Sequence, residues 1–169
     1  QRYATALAYL AEAGGGVGLL QAAHLGVVMD VAGPSVGDYA REDGADASAR
    51  RTAQRRLLPM LVASYSASLQ GLDAGAALGY LALLSGRGRF AKEQAQRLLL
   101  ETRQFETLAG TVQPSGARSP GALDARFSKR EVSGLLADAA RRAVRSGRPA
   151  DAAELLVLSG RFGALFELM

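Results

Sequence analysis

One histidine, no cysteine and scattered acids are all that the chain offers for metal or nucleophile chemistry. His24 lies at helical spacing between Leu20 and Val28, so its imidazole reads as a packed or interhelical hydrogen-bonding group. Without a second His or any Cys, a metal would have to be held by carboxylates alone. Glu42-Asp43-Gly44-Ala45-Asp46 comes nearest to that. It lacks the donor spacing and the closing Glu of a calcium loop and reads as a solvated loop. The missing thiols also exclude a disulfide framework, a thiolate zinc site and a Cys nucleophile, in agreement with a reducing compartment. No Ser or Thr has a His or a paired acid beside it at helical spacing. The expectation is no catalytic, cofactor-binding or metal-binding residue and no cofactor.

Phosphate and nucleic-acid chemistry fare no better. Gly14-Gly15-Gly16-Val17-Gly18 has no strand before it and no Lys-Ser/Thr after it, so it reads as a turn between helices. Ser85-Gly86-Arg87-Gly88-Arg89 carries too few arginines for RNA. The net charge is +4, from 20 basic and 16 acidic residues, so only clustering could make it matter. Arg50, Arg51, Arg55 and Arg56 scatter around a helix, whereas Arg141, Arg142 and Arg145 fall within about 100° of arc. These three also occupy the last turns of a helix, where cations complement the backbone dipole. They read as a solvated face, and no direct nucleic-acid partner is expected.

The elements that would position any such groups are helices. Tyr3, Leu7 and Leu10 share one face, and Val17, Leu20, His24, Val28 and Val31 the next. Residues 33–49 are poor in large apolar residues and read as a low-order loop. Leu58, Leu61, Val62, Tyr65 and Leu69 form a third stripe, with Pro59 marking either a helix start near Leu58 or a kink. Asp73 caps a fourth helix facing inward through Ala77, Tyr80, Leu81 and Leu84. Ala91, Ala95, Leu98 and Leu99 make a fifth stripe, extended by Phe105 and Leu108.

A long loop over 111–127 follows, expected to be pinned by packing. Pro120 and Gly121 set a turn, Leu123 and Phe127 tuck into a groove, and Arg118 bonds loop or helix-end carbonyls. Ser128 and Glu131 then form a capping box, opening a helix that buries Val132, Leu135, Leu136, Ala139 and Ala143. Pro149 starts another helix, and Phe162, Leu165, Phe166 and Met169 begin the last. Eight or nine helices joined mostly by short loops pack antiparallel. Ala76-Ala77 to Leu84-Ser85-Gly86-Arg87 is echoed by Ala152-Ala153 to Leu158-Ser159-Gly160-Arg161, a loose repeat suited to an irregular array. Residues 1–169 are therefore expected to be a fragment of one helical-solenoid domain. No apolar run reaches the roughly 20 residues a membrane-spanning helix needs.

Several blocks have a specific look. Glu101-Thr-Arg103-Gln-Phe105 runs on to Gly116-Ala-Arg118-Ser-Pro120-Gly121, and Tyr3-Ala-Thr-Ala6-Leu7-Ala8-Tyr9-Leu10 opens the chain. Leu61-Val62-Ala-Ser-Tyr65 precedes Asp73-Ala-Gly-Ala-Ala77-Leu78-Gly-Tyr80-Leu81, and Asp151-Ala-Ala153-Glu-Leu155 precedes Leu165-Phe166-Glu167-Leu168-Met169. Together these resemble the C-terminal part of the nucleoporin-interacting component (Nic) family, across nearly the whole chain.

The resemblance implies an all-α protein, an irregular α-solenoid of stacked antiparallel helices and a structural constituent of the nuclear pore's inner ring. Such a protein supports nucleocytoplasmic transport of protein and RNA and pore assembly. Its partners would be other scaffold and linker nucleoporins, including short linear motifs of the flexible ones. Its association with the nuclear envelope would be indirect, and the residues that bind partners stay unassigned. A related helical vesicle-coat or tethering scaffold is the alternative, with an all-helical enzyme or nucleic-acid binder further off.

Overall fold

The computed structural model describes residues 2–32, 45–84 and 88–166, with backbone only for 2, 32, 45–55 and 166. Nine α-helices lie among the described residues: α1 (Arg2–Ala13), α2 (Gly15–Ala32), α3 (Ala45–Leu69), α4 (Ala74–Ala82), α5 (Gly88–Thr102), α6 (Phe105–Ala109), α7 (Lys129–Arg145), α8 (Pro149–Ser159) and α9 (Phe162–Phe166). A 3₁₀ turn spans Ala122–Ala125, and the nearest thing to a strand is a single antiparallel bridge, Val112 to Arg118. The chain divides into two compact units, Gln1–Ser68 and Leu69–Met169.

In the first unit α1 and α2 form a hairpin whose reversal is glycine-dependent. Gly15 has φ +58°, and a Cβ on Gly18 would lie 2.2 Å from the Leu10 carbonyl oxygen. The core gathers Ala4 and Leu7 from α1, Ala22 and Ala23 from α2, and Leu61 from α3, with Leu57 and Tyr65 packed against them. This differs from the expected faces. Tyr3 is exposed on α1, and Val17, Val28 and Val31 are exposed on α2. Alanine and glycine bury because they let helix axes approach closely, and valine does not. The third helix departs from expectation at its start, since residues 45–49, read as loop, are helical; Pro59 lies inside α3 and does not begin it. Proline has no N–H, so α3 forgoes one ladder bond there. Residues 33–44 lie outside the described residues.

The second unit is better patterned. Asp73 Oδ1 accepts from the Ala76 N–H at 2.8 Å and caps α4. Ser128 and Glu131 exchange side-chain bonds with each other's backbone and cap α7, and Pro149 sits in the first turn of α8. The core is built from Leu78, Leu99, Leu108, Leu123, Leu136 and Leu155. Each contributes about 1.5–3 kcal/mol on full burial. Helices pack chiefly on their chain neighbours, α4 on α5, α7 on α8 and α8 on α9, while α5 also packs on α7. The fold is all-α, and this packing pattern is that of an irregular α-solenoid. It positions one irregular segment, the connection from α6 to α7.

Candidate functional site: a pinned loop and an adjoining groove

Residues 111–119 turn back on themselves as a short ribbon. Gln113-Pro114-Ser115-Gly116 forms its tight turn, with the Gly116 N–H donating to the Gln113 carbonyl at 2.8 Å. Two ladder bonds hold the arms, Gln113 N–H to Ala117 O at 2.8 Å and Ser119 N–H to Thr111 O at 2.7 Å. The Gln113 amide adds a bond to the Ser119 hydroxyl at 2.7 Å.

The ribbon is fastened to the helices by Arg118. Its Nη1 donates to Asp124 Oδ2 at 3.0 Å and to the Ala109 carbonyl at the end of α6, while Nη2 donates to Asp124 Oδ1. Asp124 Oδ2 also accepts from the Gly121 N–H at 2.8 Å. Burial by itself pushes the Asp124 carboxyl up, but the Arg118 bonds, the Gly121 N–H and the guanidinium charge outweigh it. The carboxyl therefore sits below its ordinary value of 3.8. The backbones of Gly110 and Gly121 meet here with no room for a side chain. A Cβ on Gly121 would lie 2.4 Å from the Gly110 nitrogen and 2.5 Å from the Leu108 oxygen. Leu123 and Phe127 are both buried.

A second clasp ties the end of α5 to α8. Thr102 ends α5, and Arg103 takes the left-handed conformation, with φ 54°. The stripe expected to continue through Phe105 and Leu108 is therefore broken, and those residues form the separate α6. Arg103 Nη2 bonds Asp151 Oδ1 at 2.6 Å, and the Asp151 side chain is 4% exposed. Arg148 stands 3.6 Å from Asp151 Oδ2 and donates to the Leu100 carbonyl at 2.9 Å. Unlike Asp73, which caps α4, Asp151 lies within the first turn of α8 and does not cap it. Burial first, then the charges of Asp151 and Glu106, raise the neighbouring Glu154 carboxyl above 4.5.

Two depressions lie among the described residues of this unit. One, of about 710 Å³, lies between α5 and α7 and is lined by ion pairs, Arg89 with Glu93 and Lys92 with Glu131. The other, of about 300 Å³, lies beside the ribbon and is lined by Val112, Arg118, Lys129, Val157, Leu158 and Phe162 among others. In the second, the Ser133 hydroxyl donates to the Ser159 carbonyl at 3.0 Å.

His24 is exposed rather than packed in a core: its Nδ1 donates to the Leu20 carbonyl of its own helix at 2.9 Å. Its ring also stands 5.7 Å from that of Tyr65 on α3, at 60°. No group of three or more His, Asp or Glu able to hold a metal occurs among the described residues. Glu42 to Gly44, and Gly86 and Arg87, lie outside them, as do the side chains of Arg50, Arg51 and Arg55. Arg141 pairs with Asp138. The Arg103 and Asp151 clasp was not foreseen. A carboxylate in an otherwise apolar first turn, just after Arg148-Pro149, was its one sequence signal.

No curated protein matches the chain. A family model does match, the one described as Nup93/Nic96, and it spans residues 2–169. Every described helix lies inside that match, together with the loop, the two clasps and both grooves, and so the chain belongs to the Nup93/Nic96 family of nuclear pore scaffold nucleoporins.

Proposed function

We propose that this chain is a non-catalytic building block of the nuclear pore's inner ring, part of a scaffold that supports protein and RNA transport and pore assembly. The observation that carries the reading is the family match over residues 2–169, which runs across both compact units. The same continuity supports assigning residues 1–169 to one helical-solenoid domain. The work of such a block is to present helix faces and connecting loops to other scaffold and linker nucleoporins. A loop fastened by an ion pair and a close backbone crossing suits that work, because a rigid surface loses little conformational entropy on docking. Attachment to the envelope is then through partners, and no described helix is long and apolar enough to cross a membrane.

Crosslinking mass spectrometry on native nuclear envelopes tests the proposal. Crosslinks from this segment to other inner-ring nucleoporins are expected. Crosslinks confined to vesicle-coat subunits would replace it with the coat reading.

A further inference from the structure

We propose that the groove beside the ribbon is a docking site for an extended segment of a partner protein, one whose groove-facing side chains, every second residue, set a carboxylate between apolar groups. One wall is the 111–119 ribbon, and the other is where the start of α7 meets the end of α8 and the first residue of α9. The floor is apolar, from Val112, Val157, Leu158 and Phe162, and Phe162 is 49% exposed.

The charge of the groove has one sign. Arg118 and Lys129 line it, and no acidic residue is among the described residues that do. Arg118 is committed to Asp124. That leaves Lys129, exposed and in no ion pair among the described residues, as the cation a ligand meets. Lys129 also opens α7, whose N-terminal dipole adds positive potential. A carboxylate between apolar side chains matches this arrangement. A nucleic acid does not, because backbone phosphates ask for several free cations.

The ribbon favours an extended ligand. Its ladder bonds run between Gln113 and Ala117 and between Ser119 and Thr111, so Val112 and Arg118 are the non-hydrogen-bonded pair. In such a pair the N–H and C=O of each residue point away from the other strand. Val112 therefore presents both groups at an open edge, and neither takes part in a backbone hydrogen bond among the described residues. A strand added there gains main-chain bonds, while its alternate side chains reach the apolar floor and Lys129.

The inference stands on the groove and not on the pore assignment, so either can fail alone. The test is fluorescence anisotropy on the whole chain. The probe is a fluorescein-labelled acetyl-Ser-Val-Ser-Asp-Ser-Val-Ser peptide, whose Val, Asp and Val share one face when extended, compared with its Asp-to-Lys counterpart. Saturable binding of the acidic peptide is expected, weakened about tenfold in the counterpart and in Lys129→Glu, and kept in Lys129→Arg. Val112→Pro removes the free N–H and leaves both ladder bonds. Val112→Ala, which trims the floor side chain but keeps the N–H, is its control. The proline should weaken binding more than the alanine, with unchanged circular dichroism. Val157→Gln gives a second reading if the proline variant misfolds. No saturable binding, equal binding of both peptides, or binding indifferent to Lys129→Glu and Val157→Gln overturns the proposal. So does tighter binding of a helix-stapled acidic peptide, or a chain dimer that Phe162→Ser dissolves, since each gives the groove another occupant.

Discussion

Arg118 and Asp124 face one another as a two-pronged ion pair, and the same guanidinium holds the last carbonyl of α6 at Ala109. One side chain thus joins the ribbon, the 3₁₀ turn and a helix end. Arg118→Lys should not rescue the site, because an ammonium cannot span both carboxylate oxygens in a planar fork. Thermal melts should show both Arg118→Lys and Arg118→Ala destabilised, with the alanine losing about 1–3 kcal/mol. A lysine variant as stable as the parent would show that the geometry of the pair is immaterial.

Acid should loosen this clasp. The Asp124 carboxyl lies below 3.8 in the folded chain, so its contribution is present above that pH and lost as pH falls beneath it. Glu131 adds a second acid-labile contact. Bonds from Lys92, then from the Ser128 hydroxyl and N–H, hold its carboxyl at about 2, so its contribution fades between 4.5 and about 2. The melting temperature should drop between pH 6 and pH 3 by less in Asp124→Asn than in the parent. A carbon-detected titration should place the Glu131 midpoint near 2. A midpoint at the ordinary value would mean that the cap and the Lys92 bond do not form in solution.

The crossing of Gly110 and Gly121 gives a steric prediction with an internal control. At Gly121 a Cβ meets the backbone of residues 108–110, whereas at Gly116 nothing lies within 4 Å and the only obstacle is φ +81°. Gly116→Ala should cost about 1–2 kcal/mol from backbone conformation alone. Gly121→Ala should cost more, because backbone cannot move aside as a flexible side chain can. Equal melting temperatures for the two variants would mean that the crossing is looser than described.

Leu135 is 3% exposed on α7, and its carbonyl accepts a bond from Gln96 on α5 at 3.5 Å. Leu135→Asp puts a carboxylate into that contact, with the expected loss of several kcal/mol, about half of a typical domain's stability. Circular dichroism melts should show the second unit unfolded or strongly destabilised. A melt equal to the parent's would contradict the assigned core face of α7.

What the sequence made legible was local. Capping pairs such as Ser128 with Glu131, the first-turn Pro149 and the stripe through Val132, Leu135 and Leu136 depend on residues within a turn or two of one another. What it hid depends on neighbours. Periodicity selects the largest apolar side chains, so it favoured Val17, Val28 and Val31, but close packing against α1 and α3 buries Ala22 and Ala23. The first turns of α3 carry Arg, Gln and Ala with no apolar stripe, so nothing in their pattern announced a helix. The break at Arg103 was silent because a non-glycine residue seldom takes positive φ. Arg118 was legible as a loop anchor, since a long loop in a helical array needs one. Asp151 as its counterpart for α8 was not.

The central claim, a scaffold role at the pore, is tested most directly by where the protein resides. Cells expressing the full-length protein that carries this chain, tagged at its own locus, should be imaged before and after detergent extraction. A punctate nuclear rim that survives extraction is the expected result. Diffuse cytosolic signal, or vesicle-coat puncta with an empty rim, would contradict it.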